Sequence, residues 1–193
     1  MITSNKIQKA LEFTFKVHQI DQKQSRKGKQ IPYIFHPLAV ANILDKVDAT
    51  EDQIVAGILH DTIEDSTPEH KVTKEELEKK FGPTVARIVN DLSEQDKSLP
   101  WAVRKQEALN HIPAMKHDSL LVKSADVLHN LTDQIADYQF QGEKMWKYYN
   151  ASKSAQLGMY QKMVAALKKA WPPNPLLNNL ERQVKFAKKL WSK

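Results

Sequence analysis

Four groups that resist burial, His60, Asp61, Glu64 and Asp65, are set into the apolar stretch V-A-G-I-L-H-D-T-I-E-D from Val55 to Asp65. Val55, Ile58, Leu59 and Ile63 fall at helical spacing, which predicts one buried amphipathic helix across the stretch. Residues three and four apart share a helix face, so His60 lies beside Glu64, and Asp61 beside both Glu64 and Asp65. Adjacent ionisable groups in such a setting cost several kcal/mol each unless they are paired or bound to a metal. A divalent ion removes that cost. So does one buried His–Asp hydrogen bond, with two solvated acids at the helix end.

Two further residues stand where apolar ones are expected. In P-Y-I-F-H-P, Pro37 suits the first turn of the next helix, P-L-A-V-A-N-I-L, which leaves His36 at its N-terminal edge. There His36 serves as a ligand, or as a capping or packing residue. Asp126 interrupts the stripe Leu121, Ala125, Leu128 and Leu131 of L-L-V-K-S-A-D-V-L-H-N-L-T-D, with His129 and Asn130 close by. Read alone, it is capped by a neighbouring side chain or bound to a metal. Together, His36, His60, Asp61 and Asp126 come from three predicted helices. Two imidazoles and two carboxylates suit Mn²⁺, Fe²⁺ or Zn²⁺ and disfavour softer metals. Four protein ligands leave an octahedral ion such as Mn²⁺ open to water and substrate, where it acidifies the water and polarises a phosphoryl oxygen.

The elements that must position these groups are helical. The 193 residues are 41% hydrophobic and 27% charged, the balance of a globular chain with a sizeable core. Only 5 glycines and few β-branched alternations favour a compact all-α fold of roughly eight to ten helices. Absence of cysteine excludes disulfides and thiolate metal sites. The start M-I-T-S-N-K lacks an apolar signal core and no apolar run spans a membrane, so a cytoplasmic location is expected. A formal charge of +6 fits either an acidic partner or a solvated basic surface.

Ile7, Leu11, Phe15 and Val17 predict a first helix from Ser4, its possible N-cap, to Gln19. A loop with Lys23, Arg26, Lys27 and Lys29 follows, with Gly28 permitting a turn. It is either solvated or suited to a phosphate-rich ligand. Thr73 to Glu76 has capping-box spacing, and Gly82-Pro83 breaks the helix it opens. After the loop E-Q-D-K-S-L-P-W, Arg104 and Lys105 stand in the first turns of a helix, against its dipole, as ligand-binding or solvated cations. A long helix is expected from Glu143 to Trp171. Beyond the break Pro172-Pro173-Asn174-Pro175 comes an amphipathic helix carrying Leu176, Leu177, Leu180, Val184 and Phe186, with a Lys-rich end. The expected organisation is one domain over 1–171, with 172–193 a C-terminal helix packed on it.

P-Y-I-F-H-P, A-G-I-L-H-D-T-I-E-D and V-K-S-A-D-V-L-H-N-L resemble the HD-domain hydrolases of the RelA/SpoT type, in particular the small, free-standing alarmone hydrolases. The resemblance runs from about Ala10 to about Ala166 and includes R-K-G-K-Q-I-P-Y-I-F-H-P and D-K-S-L-P-W-A-V-R-K. It implies an all-helical, Mn²⁺-dependent hydrolase that removes the 3′-pyrophosphate from ppGpp and pppGpp. Carried over by position, His36, His60, Asp61 and Asp126 match the metal ligands, and Glu64 and Asp65 the pair that activates or positions the attacking water. Arg26 and Lys27 match residues lining the base and phosphate side of the pocket, and Asn130 a nucleoside-contacting asparagine. Lys97, Arg104 and Lys105 fall where cations approach the phosphates. The chain departs from the pattern at Val127 and Thr132, where the family usually has basic residues.

Three functions compete. The first is (p)ppGpp 3′-pyrophosphohydrolysis on a small nucleotide, with no membrane or nucleic-acid partner. The second keeps the metal chemistry and changes the substrate to (p)ppApp or the phosphate of NADPH. The third is a basic helical module binding nucleic acid through the Lys-rich C-terminus, which gives the metal set no role.

Overall fold

The computed structural model describes residues 4–94 and 96–192. Met1 to Thr3 of the expected leaderless start, Gln95 of the loop and Lys193 of the Lys-rich end lie outside the described residues. The described chain is all-α, with ten α-helices, short π and 3₁₀ turns, and a lone bridge between Ser25 and Pro32. None of these helices is long and apolar enough to cross a membrane.

Helix α1 (Asn5–Phe15) starts at Ser4, whose hydroxyl accepts from the Ile7 N–H at 3.1 Å, and runs into a π-turn over Lys16–Ile20. The cationic loop turns at Gly28, where φ is 69°. Helix α2 (Phe35–Asp45) places His36 and Pro37 in its first turn. Helix α3 (Glu51–Leu59) opens with a complete capping box of Thr50 and Gln53. Helices α5 (Lys74–Phe81) and α6 (Pro83–Leu92) flank Gly82, and Thr73 caps α5 by accepting from the Glu76 N–H. Helix α7 (Trp101–His111) leads to α8 (His117–Gln141), the longest, which packs against α2, α3 and α6.

The close approach of α2 to α3 depends on one residue. A Cβ on Gly57 would lie 2.5 Å from Leu44 Cδ1 and 3.2 Å from Val40 Cγ1. Glycine therefore brings together the helices that carry His36 and His60. Leu44, Ile58, Leu59, Ile88 and Leu120 fill the core beneath them.

Three expectations are corrected. Val55 to Asp65 is not one helix: α3 ends at Leu59, His60 and Asp61 form a turn, and α4 is the short segment Thr62–Asp65. The His60 ring and the Thr62 hydroxyl bond the Gly57 and Leu59 carbonyls at the end of α3. Such side-chain bonds compete with helix continuation. The segment after α8 is also broken. Gly142, at φ 60°, ends α8, a 3₁₀ stretch covers Gly142–Tyr148, and α9 (Lys153–Ala170) begins only at its Ser152 cap. Finally, Phe186 of α10 (Leu177–Trp191) is exposed, whereas Leu180, Ala187 and Trp191 are buried as α10 packs on α8 and α9.

Candidate active site

At the turn after α3, the His60 Nδ1 atom lies 2.8 Å from the Gly57 carbonyl oxygen. A carbonyl only accepts, so Nδ1 carries a proton and Nε2 is left to face the interior. His36 Nε2 meets it at 3.0 Å. Asp61 Oδ2 lies 3.0 Å from His60 Nε2 and 3.6 Å from His36 Nε2, while Asp126 Oδ1 lies 3.7 Å and 3.4 Å from the same two atoms. His36, His60 and Asp126 are buried. Donor atoms about 2.1 Å from one ion and at right angles are about 3.0 Å apart. The observed separations fit neighbours in one coordination shell.

The electrostatics agree. Burial alone depresses the His60 imidazole, but Asp61 and Asp126 outweigh it and hold the group well above its ordinary pKa. Burial opposes ionisation of Asp126, yet Lys123 and the two histidines hold its carboxyl well below the usual range. The cluster favours positive charge at its centre, which a divalent ion would supply.

Surrounding side chains orient these groups. Tyr33 donates to Asp61 Oδ2 at 2.5 Å. Lys123 donates to Asp126 Oδ2 at 3.0 Å and Asn130 to its Oδ1 at 2.6 Å. His129 Nδ1 sits 2.7 Å from His36 Nδ1.

The acids of α4 differ from one another. Burial, with the negative Asp61 and Glu94, raises the Glu64 carboxyl to about 7. Among the described residues its Oε2 accepts a backbone N–H, from Glu94 at 3.2 Å, and Lys97 stands 3.6 Å from Oε1. Asp65 is tied down, bonded by Gln24 at 2.9 Å and by Lys97. Glu64 has the environment of a proton acceptor, and Asp65 that of an anchor.

Of the candidate ligands, acids and substrate-binding residues read from sequence, all but His36 border a cavity of about 450 Å³, and His129 stands outside the lining with His36. Arg26 reaches across to α8, donating to Asn130 Oδ1 at 3.0 Å and to Asp133 Oδ2 at 2.8 Å, and Lys29 joins Asp133 at 2.5 Å. Partial burial and the Lys105, Arg26 and Arg104 charges hold the Lys27 ammonium below its ordinary pKa. Arg104 and Lys105 converge on Glu94, the latter at 2.5 Å.

A model of the HD domain matches residues 10–141, most of the chain. The chain belongs to the HD domain family. Relatives of this HD domain include a protein of Danio rerio named guanosine-3′,5′-bis(diphosphate) 3′-pyrophosphohydrolase MESH1. It is 42% identical over 125 residues, covering 64% of this chain and 66% of that one, slightly under two thirds. The Homo sapiens protein of the same name is 36% identical over 126 residues, covering 64% and 66%. A solved structure described as a metazoan ortholog of SpoT that hydrolyzes ppGpp superposes with a TM-score of 0.74 at 25% identity, covering 96% of this chain and 95% of that one. A Listeria monocytogenes structure gives 0.71 at 29% identity, over 80% and 99%.

Four residues of this HD domain site escaped sequence reasoning: Tyr33, Glu94, Lys123 and His129 in their bonding roles. Lys123 and His129 stand three residues either side of Asp126, the spacing of shared helix faces, so that signal was present. Tyr33 and Glu94 meet their partners only through the tertiary fold. Of the two departures from the family pattern, Val127 lines the cavity, whereas the Thr132 hydroxyl donates to its own helix at the Leu128 carbonyl and faces a separate surface hollow.

Proposed function

We propose that this HD domain is a Mn²⁺-dependent hydrolase that removes the 3′-pyrophosphate from (p)ppGpp, giving GDP or GTP and pyrophosphate. The reading takes residues 1–171 as the catalytic unit with 172–193 packed on it. One observation carries it: a four-donor metal cluster opens, beside an acid raised to about 7, into a cavity ringed by cations from separate segments. The names borne by the relatives support the substrate.

In this reading His36, His60, Asp61 and Asp126 would hold the ion, which when bound would polarise a phosphoryl oxygen and acidify the attacking water. Glu64 takes the proton of that water as its oxygen bonds to the 3′ phosphorus. The bond from phosphorus to the ribose 3′ oxygen breaks, and that oxygen leaves as the hydroxyl by taking a proton from bulk water, to which Glu64 returns the one it removed. Asp65, held by Gln24 and Lys97, fixes the short helix that aims Glu64. Lys27, Arg104 and Lys105 offset the phosphate charge in a partly water-excluded site. Arg26, bonded to Asn130 and Asp133, fastens the loop to α8 and keeps Lys27 in place.

A related nucleotide is the second reading, favoured by Val127, an uncharged residue in the cavity wall. Turnover of ppGpp, ppApp and NADPH with Mn²⁺, Zn²⁺ and Mg²⁺ added in turn tests both. Fastest release of pyrophosphate from ppGpp with Mn²⁺ is expected. Preference for either other substrate would move the assignment to the second reading.

A further inference from the structure

The cavity extends well beyond the metal cluster, and its far wall has its own chemistry. Along α8, Asp126, Asn130 and Gln134 recur every fourth residue, one face of the helix, and all three line the cavity. Eight residues at about 1.5 Å each place Gln134 about 12 Å along the axis from Asp126. Opposite, α9 contributes Gln156, Met159, Tyr160 and Met163, again one helical face.

Two carboxamides in that wall are not engaged by described residues, and one of them holds a buried oxygen without a partner. Gln134 is 7% exposed and its Oε1 has no hydrogen-bond partner. Gln156 is 7% exposed as a residue and lines the same cavity, and no hydrogen bond ties its carboxamide to a described residue, so the group faces the cavity space. Asn130 differs: its oxygen accepts from Arg26 and its nitrogen donates to Asp126, so neither end is spare. Leaving a buried polar group unpaired costs free energy, and natural structures keep such groups for a reason. The same cavity wall carries a tyrosine ring and two thioethers, flat and polarisable surfaces on which an aromatic ring packs well.

We propose that Gln134 and Gln156 are specificity-determining residues that read the nucleobase of the substrate. A carboxamide offers one acceptor and one donor side by side, and so pairs with a base edge that presents a donor beside an acceptor. Purines with an amide or amino edge meet this requirement. The base then lies between Tyr160, Met159 and Met163, with the ribose spanning toward Asn130 and the 3′ phosphates at the metal end. The inference rests on the hydrolase reading for the placement of the phosphates, while the two glutamines are read on their own geometry.

Binding to the Mn²⁺-loaded protein tests it, with GDP and inorganic pyrophosphate titrated in parallel calorimetric experiments. Gln134→Leu and Gln156→Leu are used, because exchanging an unpaired buried amide for an apolar group of similar volume preserves the fold, as melting curves will check. In each variant the GDP dissociation constant is expected to rise about tenfold, the factor of one lost hydrogen bond, with pyrophosphate affinity within about twofold of wild type. Unchanged GDP affinity in both variants overturns the proposal. So does an equal loss of GDP and pyrophosphate affinity, which reports site-wide damage. Selective loss of GDP affinity in a protein that leaves ppGpp uncleaved upholds the base-reading pair and refutes the hydrolase reading alone.

Discussion

The Nδ1 atoms of His36 and His129 lie 2.7 Å apart, although 93 residues separate them in the chain. Two ring nitrogens at that distance share one proton. With His36 Nε2 turned toward His60 and the two carboxylates, the proton belongs on His36 Nδ1 and His129 accepts. Burial, with the neighbouring His36 and the Arg26 charge, pushes His129 down to about 4, so it is neutral at pH 7 and able to do so.

Exchanging His129 for Phe should therefore weaken Mn²⁺ binding about 10- to 100-fold, the usual cost of removing a group that orients a ligand. His129→Asn, which keeps an acceptor, should lose less. Metal titration of chelator-treated protein reads this directly. Equal affinities in all three proteins would show that packing alone orients His36.

Ligands and proton acceptor should separate cleanly. His60→Ala and Asp61→Ala are expected to lose both the metal and hydrolysis. Glu64→Gln should keep near-stoichiometric Mn²⁺ and turn over about 10²- to 10⁴-fold more slowly. Metal content and kcat measured on the same preparations decide it. Loss of the metal from Glu64→Gln would make Glu64 a ligand.

The raised Glu64 carboxyl has a consequence for stability. Its folded value of about 7 exceeds the ordinary 4.5, so folding favours its protonated form. That contribution is complete below pH 4.5 and is lost as pH rises through 7. In metal-free protein, Glu64→Gln should melt near wild type at pH 4.5. By pH 8 it should be more stable by roughly 1–3 kcal/mol. A constant difference across that range would place the carboxylate in a solvated setting.

Arg26 and Lys27 should behave differently. Arg26→Ala removes bonds to Asn130 and Asp133 and should destabilise the fold by about 1–3 kcal/mol while raising KM. Lys27, whose ammonium lies 5.6 Å from the centre of the Tyr149 ring, is bonded to no acid among the described residues. Lys27→Ala should raise KM with little change in melting temperature or kcat. Chemical denaturation and initial rates separate the two.

The clustering of His36, His60, Asp61 and Asp126 was legible because these residues interrupt apolar patterns, and such interruptions survive as sequence signals. The break at His60 was not. Periodicity sees apolar spacing, whereas the break lies in a ring nitrogen and a hydroxyl bonding carbonyls that end α3. The stretch after Glu143 misled for a similar reason, since its residues suit a helix but Gly142 and the Ser152 cap divide it. Arg104 and Lys105 looked unbalanced only because Glu94, which pairs with both, precedes them by a loop.

The seam that Gly57 permits between α2 and α3 has one more effect. It assembles donors from positions 36, 60, 61 and 126, which an unfolded chain cannot gather around a single ion. Metal affinity is then reserved to the native state, and mass action ties folding to the free ion concentration: each tenfold rise above the dissociation constant adds about 1.4 kcal/mol. Starved of metal, the chain loosens as well as idles, and the surroundings govern its abundance along with its rate.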